Sequence, residues 1–252
     1  MKNEAFMDIS VIGLGKLGQC LAACFADRGF KTLGLDIDPA VLESLRGGKA
    51  SIVEPGLQDL ISSGTDNFEV TDKFEDVIRR TDVSFFLLPT PIDEEGGFSN
   101  VYLEKAVGAM AQELKKANKP YHTFVISSTV MPGTIEKTLI TLIEKKSGKK
   151  VGEGFGICHC PEFVALGSVV RDFLEPDQVF IGESDKRSGD LLESIYNKLC
   201  CAKLKFFRMS IVESELAKVS LNCFLTMKIS FANTVSNLCE RIPGTNIDSI
   251  TN

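Results

Sequence analysis

Short apolar runs alternate with helical patterns through about the first 208 residues. A run such as 83–88 (VSFFLL) is nearly continuously apolar, as expected for a parallel strand buried on both faces. The alternation therefore predicts an α/β fold, a Rossmann-like, doubly wound, mostly parallel sheet. The predicted strands are 8–12, 32–36, 83–88, 123–127, 154–159, 178–181 and 204–207. The predicted helices are 17–27, 39–46, 103–117, 134–145 and 190–199.

A different pattern follows this region. From Val212 to about Glu240 the chain has no Gly or Pro, and apolar residues recur at helical spacing. A helix of this length exceeds the roughly 8–20 residues usual in globular proteins. We therefore expect residues 1–208 to form the sheet domain and residues 209–252 to begin a central helical domain. The long helix then serves as a spine or as the interface of a homodimer.

Composition excludes several classes of protein. Of the 252 residues, 44% are hydrophobic and 25% are charged, which is typical of a soluble globular protein. The net charge of −6 disfavours nucleic acid and anionic membranes as partners. No apolar run approaches the ~20 residues that span a bilayer, and the N-terminus does not resemble a secretory signal. We expect a cytoplasmic protein.

The eight cysteines are expected to be mostly reduced, buried thiols. One group, 158–160 (Cys-His-Cys), contains candidate metal ligands. Side chains alternate along a strand, so Cys158 and Cys160 would share one face and His159 the other. Because no C-x-x-C pair completes a tetrahedral set, we predict no metal site.

A glycine motif, residues 13–18 (GLGKLG), follows the first predicted strand and opens the first predicted helix. In this context G-x-G-x-x-G indicates a dinucleotide site. Two glycines allow the pyrophosphate to approach the backbone, the third allows close packing, and the helix N-terminus supplies N–H donors. The predicted contacts are Gly13, Gly15, Lys16, Leu17 and Gly18.

The second predicted strand ends at Asp36, eighteen residues after the last glycine of the motif. A carboxylate there accepts both ribose hydroxyls and repels a 2′-phosphate. The neighbours Ile37 and Asp38 offer no arginine for such a phosphate, so the predicted cofactor is NAD. The stretch Pro89, Thr90 and Pro91 follows a strand's carboxyl end and should line the same crevice.

Six further stretches occur in the order found in one known family. They are 54–57 (EPGL), 89–91 (PTP), 128–134 (STVMPGT), 160–163 (CPEF), 176–179 (PDQV) and 215–218 (ELAK) leading to Asn222. Together they resemble the nucleotide-sugar 6-dehydrogenase family, which includes the UDP-glucose and GDP-mannose dehydrogenases. The resemblance covers the NAD-binding part and the central helix of that family.

The resemblance implies oxidation of the C6 hydroxymethyl of a nucleotide sugar to a carboxylate, with two NAD used in succession. Thr129 and Glu162 would position water and manage protons, Thr129 also contacting NAD. Lys218 would stabilise developing oxyanion charge, with Asn222 beside it. The spacing agrees, since residues four apart project from one helix face and together present several N–H donors to one oxygen.

The sequence departs from the family pattern at several positions. Cys160 stands where Asn is usual, Leu166 where many members have a second Glu, and Lys16-Leu17 where Tyr-Val is common. The family's nucleophilic cysteine lies in a Gly-rich motif after the long helix, in a sugar-nucleotide domain, and none of the eight cysteines matches it. We therefore expect this chain to bind NAD without completing the reaction alone.

Two alternatives remain open at this point. One is a non-catalytic, dimerising NAD-binding protein. The other is a one-step dehydrogenase of small 3-hydroxy acids, which shares a Rossmann domain and a helical lysine with a nearby asparagine. The Pro-Glu-Phe and Pro-Asp-Gln stretches disfavour the second alternative.

Overall fold

The computed structural model describes residues 7–64, 66–92, 94, 96–200 and 204–251. Its strands are β1 (Ile9–Ile12), β2 (Thr32–Leu35), β3 (Phe68–Thr71), β4 (Val83–Phe86), β5 (Thr123–Ile126), β6 (Gly156–His159), β7 (Val179–Glu183) and β8 (Phe206–Met209). The helices are α1 (Lys16–Asp27), α2 (Pro39–Arg46), α3 (Leu57–Ser63), α4 (Phe74–Arg80), α5 (Val101–Lys116), a π-helical segment (Ile135–Ile140) continuing into α6 (Thr141–Ser147), α7 (Val169–Leu174), α8 (Lys186–Leu199), α9 (Ile211–Cys239) and α10 (Ile247–Thr251).

The strands form one sheet in the order β3-β2-β1-β4-β5-β6-β7-β8. Pairing is parallel from β3 to β6 and again between β7 and β8, whereas β6 and β7 are antiparallel. The predicted doubly wound, mostly parallel sheet is therefore confirmed. The winding reverses between β1 and β4, which places a crevice at their carboxyl ends, where open α/β sheets bind ligands.

Helices cover both faces of the sheet, which explains its nearly continuous apolar strands. Every residue of β1, β2, β4, β5 and β6 is buried. Alternate residues serve opposite cores, since Phe85 packs with Phe25 of α1 on one face and Phe86 stacks on Phe124 on the other. This burial holds the carboxyl ends of the strands in one rigid row.

Several elements differ from the sequence prediction. The chain between residues 47 and 82 carries α3, β3 and α4, none of which was predicted. Each is only four to seven residues long, and β3 is a partly exposed edge strand, so the periodicity of each element is too short to stand out from the surrounding chain. The helix predicted over 134–145 begins instead as the π-helical segment. Helix α8 begins four residues before the predicted position, capped by Asp185.

The long helix is confirmed as α9, which has 29 residues. It begins with a capping box in which Ser210 and Glu213 bond each other's backbone N–H. One face of its first turns, with Ile211, Ser214 and Glu215, is buried against the sheet domain. Its second half exposes large apolar side chains, namely Phe224, Leu225, Met227, Ile229, Phe231 and Leu238. Among the residues described, we find no helix with both the length and the apolarity needed to cross a membrane.

Candidate active site at the carboxyl edge of the sheet

A crevice of about 420 Å³ lies where the sheet reverses direction. Its walls are mainly apolar, and Asp36 brings a carboxylate to it. Of the residues predicted to bind a cofactor, four line it, namely Gly13, Gly15, Asp36 and Pro89. The sequence did not indicate the remaining walls, which come from strand ends, α4 and α5: Ile12, Leu35, Ile37, Phe74, Leu87, Leu88, Tyr102, Lys105 and Ala106.

Glycine is found at the three motif positions for three different structural reasons. Gly13 has φ +93°, and a Cβ there would approach the Leu87 carbonyl oxygen to 2.7 Å. A Cβ on Gly18 would lie 1.8 Å from the Gly13 carbonyl oxygen, so this glycine is required for packing of α1 on the loop. A Cβ on Gly15 would meet nothing within 4 Å. The open space beside Gly15 is what a pyrophosphate approaching the backbone requires.

The Asp36 carboxylate supports the loop as well as facing the crevice. Its Oδ2 accepts from the Leu14 N–H at 2.6 Å, and its Oδ1 accepts from the Asp38 N–H at 3.0 Å. Each carboxylate oxygen can accept more than one hydrogen bond, so both retain capacity for ribose hydroxyls. Lys16, Leu17 and Gly18 form the first turn of α1 behind this loop.

A second group of predicted residues follows the neighbouring strands along the same edge. Thr90 follows β4, Thr129 follows β5 and Glu162 follows β6. The Thr90 hydroxyl donates to the Thr129 carbonyl oxygen at 2.8 Å, which ties the first two of these loops together. Thr90, Pro91 and Thr129 lie beyond the residues that line the apolar crevice.

Helix α9 closes this edge through three successive contacts from its first turns. The Ser214 hydroxyl lies 2.9 Å from His159 Nδ1, and the Glu215 carboxylate accepts from the N–H groups of Gly133 and Ile135 at 2.5 and 2.9 Å. One turn further on, Lys218 Nζ donates to the Glu162 carbonyl oxygen at 2.6 Å. The three contacts fix both the rotation and the depth of α9.

Lys218 is held as a partly desolvated cation. Its Nζ lies 4.8 Å from the centre of the Phe163 ring, a cation–π distance. Burial lowers the pKa of its amino group, and the Glu162 carboxylate opposes that effect. An ammonium in such a position interacts more strongly with a developing oxyanion than an exposed one would.

Glu162 lies at a cavity of about 270 Å³ beneath α9. Burial raises the pKa of its carboxyl to about 7, although the Tyr196 hydroxyl and Lys218 both favour the ionised form. Tyr196 donates to Glu162 Oε1 at 3.0 Å. A carboxyl whose pKa is near 7 can both accept and return a proton at neutral pH.

The structure does not bring every predicted residue into this cluster. Asn222 lies one turn beyond Lys218 on α9, as the spacing predicts, but its side chain is exposed. Leu166 is also exposed, on the loop before α7. Sequence reasoning assigned no role to Glu215, Tyr196 or Phe163. The signal available for Glu215 was its place three residues before Lys218, an interval that puts two side chains on one helix face.

The cysteine-histidine group takes the predicted geometry. Cys158 and Cys160 lie in the core cluster of one sheet face, whereas His159 contacts α9 on the other. Burial lowers the pKa of His159 to about 3 and raises the pKa of Cys158 to about 12. Among the described cysteines, Cys20 and Cys24 are also buried and Cys223 is exposed. Cys201 lies outside the described residues.

The strand order, the glycine loop at the reversal point and the acidic residue ending β2 define a dinucleotide-binding protein of the Rossmann class. Comparison with known families makes this more specific. Residues 7–200 match the NAD binding domain of the UDP-glucose/GDP-mannose dehydrogenase family, and residues 212–252 match that family's central domain. The chain belongs to this family and carries its NAD-binding domain.

Curated relatives and solved structures agree with this family assignment. The chain is 35% identical over 238 residues to a GDP-mannose 6-dehydrogenase of Pseudomonas syringae, covering 94% of this chain and 53% of the relative. It is 35% identical over 237 residues to a UDP-glucose 6-dehydrogenase of Haloferax volcanii, covering 93% and 55%. The crystal structure of a ternary complex of GDP-mannose dehydrogenase from Pseudomonas aeruginosa superposes with a TM-score of 0.92 at 33% identity, covering 97% and 55%. The chain thus spans about half the length of these relatives.

The two glycines with contrasting surroundings provide a direct test of the crevice. We expect Gly15→Ala to lower the free energy of unfolding by only about 1 kcal/mol, because Ala is a poorer N-cap than Gly, while weakening NAD binding at least about tenfold because the methyl group occupies the pyrophosphate's approach. Gly18→Ala should cost about 3 kcal/mol of stability because its Cβ overlaps the Gly13 carbonyl. Urea unfolding and calorimetric NAD titration measure both. Undiminished NAD affinity in Gly15→Ala would contradict the assigned approach.

Proposed function

We propose that this chain supplies the NAD site and the proton-transfer and oxyanion groups of a nucleotide-sugar 6-dehydrogenase. Such an enzyme oxidises the C6 hydroxymethyl of a UDP- or GDP-linked sugar to a carboxylate, and each oxidation step transfers a hydride to NAD. The observation that carries the proposal is the contact between Lys218 Nζ and the Glu162 carbonyl. The contact holds the ammonium at the backbone of Glu162, where it acts electrostatically on a side-chain carboxyl of pKa about 7, at the sheet edge that carries the glycine loop.

Glu162 and Lys218 each have a chemical role that their surroundings support. Glu162 accepts a proton from the substrate hydroxyl or from water, because its carboxyl is substantially ionised at neutral pH. The Lys218 ammonium stabilises negative charge developing on the substrate oxygen. Thr129 holds the water, and Asn222 adds an amide donor on the same helix face as Lys218.

The cofactor site fits NAD by the chemistry of its donors and acceptors. The N–H groups of Gly13 and Leu14 already donate to Leu35 and Asp36. The Gly13 and Gly15 backbone therefore lets the pyrophosphate approach, and the N–H groups from Gly15 into the first turn of α1 (Lys16, Leu17 and Gly18) face it. Asp36 accepts from the ribose hydroxyls, and the apolar walls enclose the adenine. The loops with Pro89, Thr90, Pro91 and Thr129 extend the wall towards the nicotinamide.

Asp36 sets the preference for NAD over NADP in this proposal. Asp36→Ala should weaken NAD binding by about tenfold, because acceptors for two hydroxyls are lost, and should weaken NADP binding much less, because a charge repulsive to the 2′-phosphate disappears as well. Titration of both dinucleotides into each protein gives the comparison. Asp36→Asn serves as the control, since it keeps one acceptor for the Leu14 N–H. Equal losses for NAD and NADP would refute the ribose contact.

The assembly proposed here divides the chain at residue 208, with the NAD-binding domain before it and the start of the dimerisation domain after it. Two copies associate through α9, because its second half exposes a run of large apolar side chains. The remaining partner is a nucleotide sugar, and the site of action is the cytoplasm. Neither nucleic acid nor a membrane takes part. Sedimentation of the purified chain distinguishes the dimer from a monomer.

The catalytic proposal is tested by joining this chain to the C-terminal half of the Pseudomonas syringae relative. A fusion that binds NAD should form two NADH per uronate from GDP-mannose or UDP-glucose, whereas the 252-residue chain alone should bind NAD without sustained turnover. In the fusion, Lys218→Ala should lower kcat about 100-fold or more with little change in NAD affinity, because its interaction is made in the transition state.

The matched control is Lys115→Ala, which removes an exposed lysine near the end of α5 and should leave kcat unchanged. An unaltered kcat in Lys218→Ala would contradict the oxyanion role and leave Lys218 with a structural role only. Multiple turnovers by the 252-residue chain alone would contradict the proposal that sustained turnover requires the C-terminal half. A fusion that binds NAD, is folded and yields no NADH would favour the non-catalytic NAD-binding alternative.

A further inference from the structure

Three side chains form a hydrogen-bonded chain beneath the proposed site. The Cys160 thiol donates to the Tyr196 hydroxyl oxygen at 3.3 Å, and the Tyr196 hydroxyl donates to Glu162 Oε1 at 3.0 Å. Cys160 and Tyr196 are 1% and 2% exposed, so both contacts are largely shielded from bulk water. The chain joins the end of β6 to α8, and it reaches a carboxylate that lines the cavity.

The direction of this chain follows from the number of protons available. A tyrosine hydroxyl has one proton to donate, and its oxygen accepts further bonds. Because the Cys160 thiol already supplies a proton to that oxygen, the proton of Tyr196 points away from Cys160 and towards Glu162. Burial raises the pKa of Cys160 and of Tyr196 well above their usual ranges, so both remain protonated at neutral pH.

The hydrogen bond from Tyr196 acts against the effect of burial on Glu162. Lys218 faces Glu162 from α9 and favours the carboxylate. Asp172 on α7 lines the same cavity, together with Glu175 and Asp177 after it. Desolvation is the largest influence on Glu162 and favours the neutral acid. A fixed donor on Oε1 therefore opposes desolvation directly.

We infer that Tyr196 is a positioning residue for Glu162, with Cys160 as the group that fixes the orientation of the Tyr196 proton. The hydrogen bond from Tyr196 makes Oε1 the less basic oxygen of the carboxylate, so proton uptake from substrate or water favours Oε2. The pair thereby keeps Glu162 ionised and aligned as a base. The inference rests on the proposed role of Glu162, and it assigns a task to the cysteine that stands where the family usually has asparagine.

The experiment is a pH titration of Glu162 in the 252-residue chain, followed by NMR of 13C-labelled glutamate carboxyl groups. Glu162→Gln identifies the resonance. Tyr196→Phe removes one hydroxyl and should raise the measured pKa of Glu162 by about one or more. Cys160→Ala, which frees the Tyr196 proton to turn, should raise it by less. Cys160→Asn restores an N–H donor and should return the pKa to that of the parent chain.

Tyr121→Phe is the matched control, since it removes a buried hydroxyl that does not contact Glu162, and it should leave the titration unchanged. An unchanged pKa of Glu162 in a folded Tyr196→Phe protein would overturn the inference. If Tyr196→Phe does not fold, the two Cys160 variants decide, and equal pKa values in Cys160→Ala and Cys160→Asn would overturn it. NAD titration of each variant keeps this outcome separate from the proposed function, because Tyr196 does not line the NAD crevice.

Discussion

The Glu215 carboxylate is fully buried and is matched by the N–H groups of Gly133 and Ile135. Burial raises the pKa of this carboxyl, whereas the two backbone donors lower it. Those donors belong to the start of the π-helical segment, where N–H groups have no partners within the helix and where the helix dipole favours negative charge. A buried carboxylate without such partners would cost several kcal/mol, so α9 is stable at this depth only when Glu215 is seated.

The hydrogen bonds of Glu215 set the positions of the neighbouring side chains of α9. Ser214 then meets His159, and Lys218 reaches the Glu162 carbonyl one turn later. The loops after β5 and β6 come from adjacent parallel strands, so their relative position is set by the sheet and not by α9. The helix therefore adds a cation to a carboxyl already in place. Tyr196 approaches the same carboxyl from α8, on the side of the thiol of Cys160.

The features of the fold and the site that could be predicted from the sequence are those that depend on local pattern. The glycine motif and Asp36 were predicted because their context is set by a strand and a helix adjacent in sequence. Lys218 and Glu162 were named through their resemblance to a family, and the spacing of Lys218 and Asn222 gave the shared helix face. The short edge strand β3 was missed because its alternation of apolar and polar residues extends over only four positions.

The partners of Glu215 and Tyr196 could not be predicted from local pattern. The amides that bind Glu215 lie 80 and 82 residues away in sequence, and the carboxylate that binds Tyr196 lies 34 residues away. The measurement that tests the account most directly is native-state hydrogen exchange in the parent chain and in Glu215→Ala. We predict that the amides of Gly133, Ile135 and the first two turns of α9 exchange at least about tenfold faster in the variant, while those of β1 are unchanged. Equal protection of the first turns of α9 in the two proteins would contradict it.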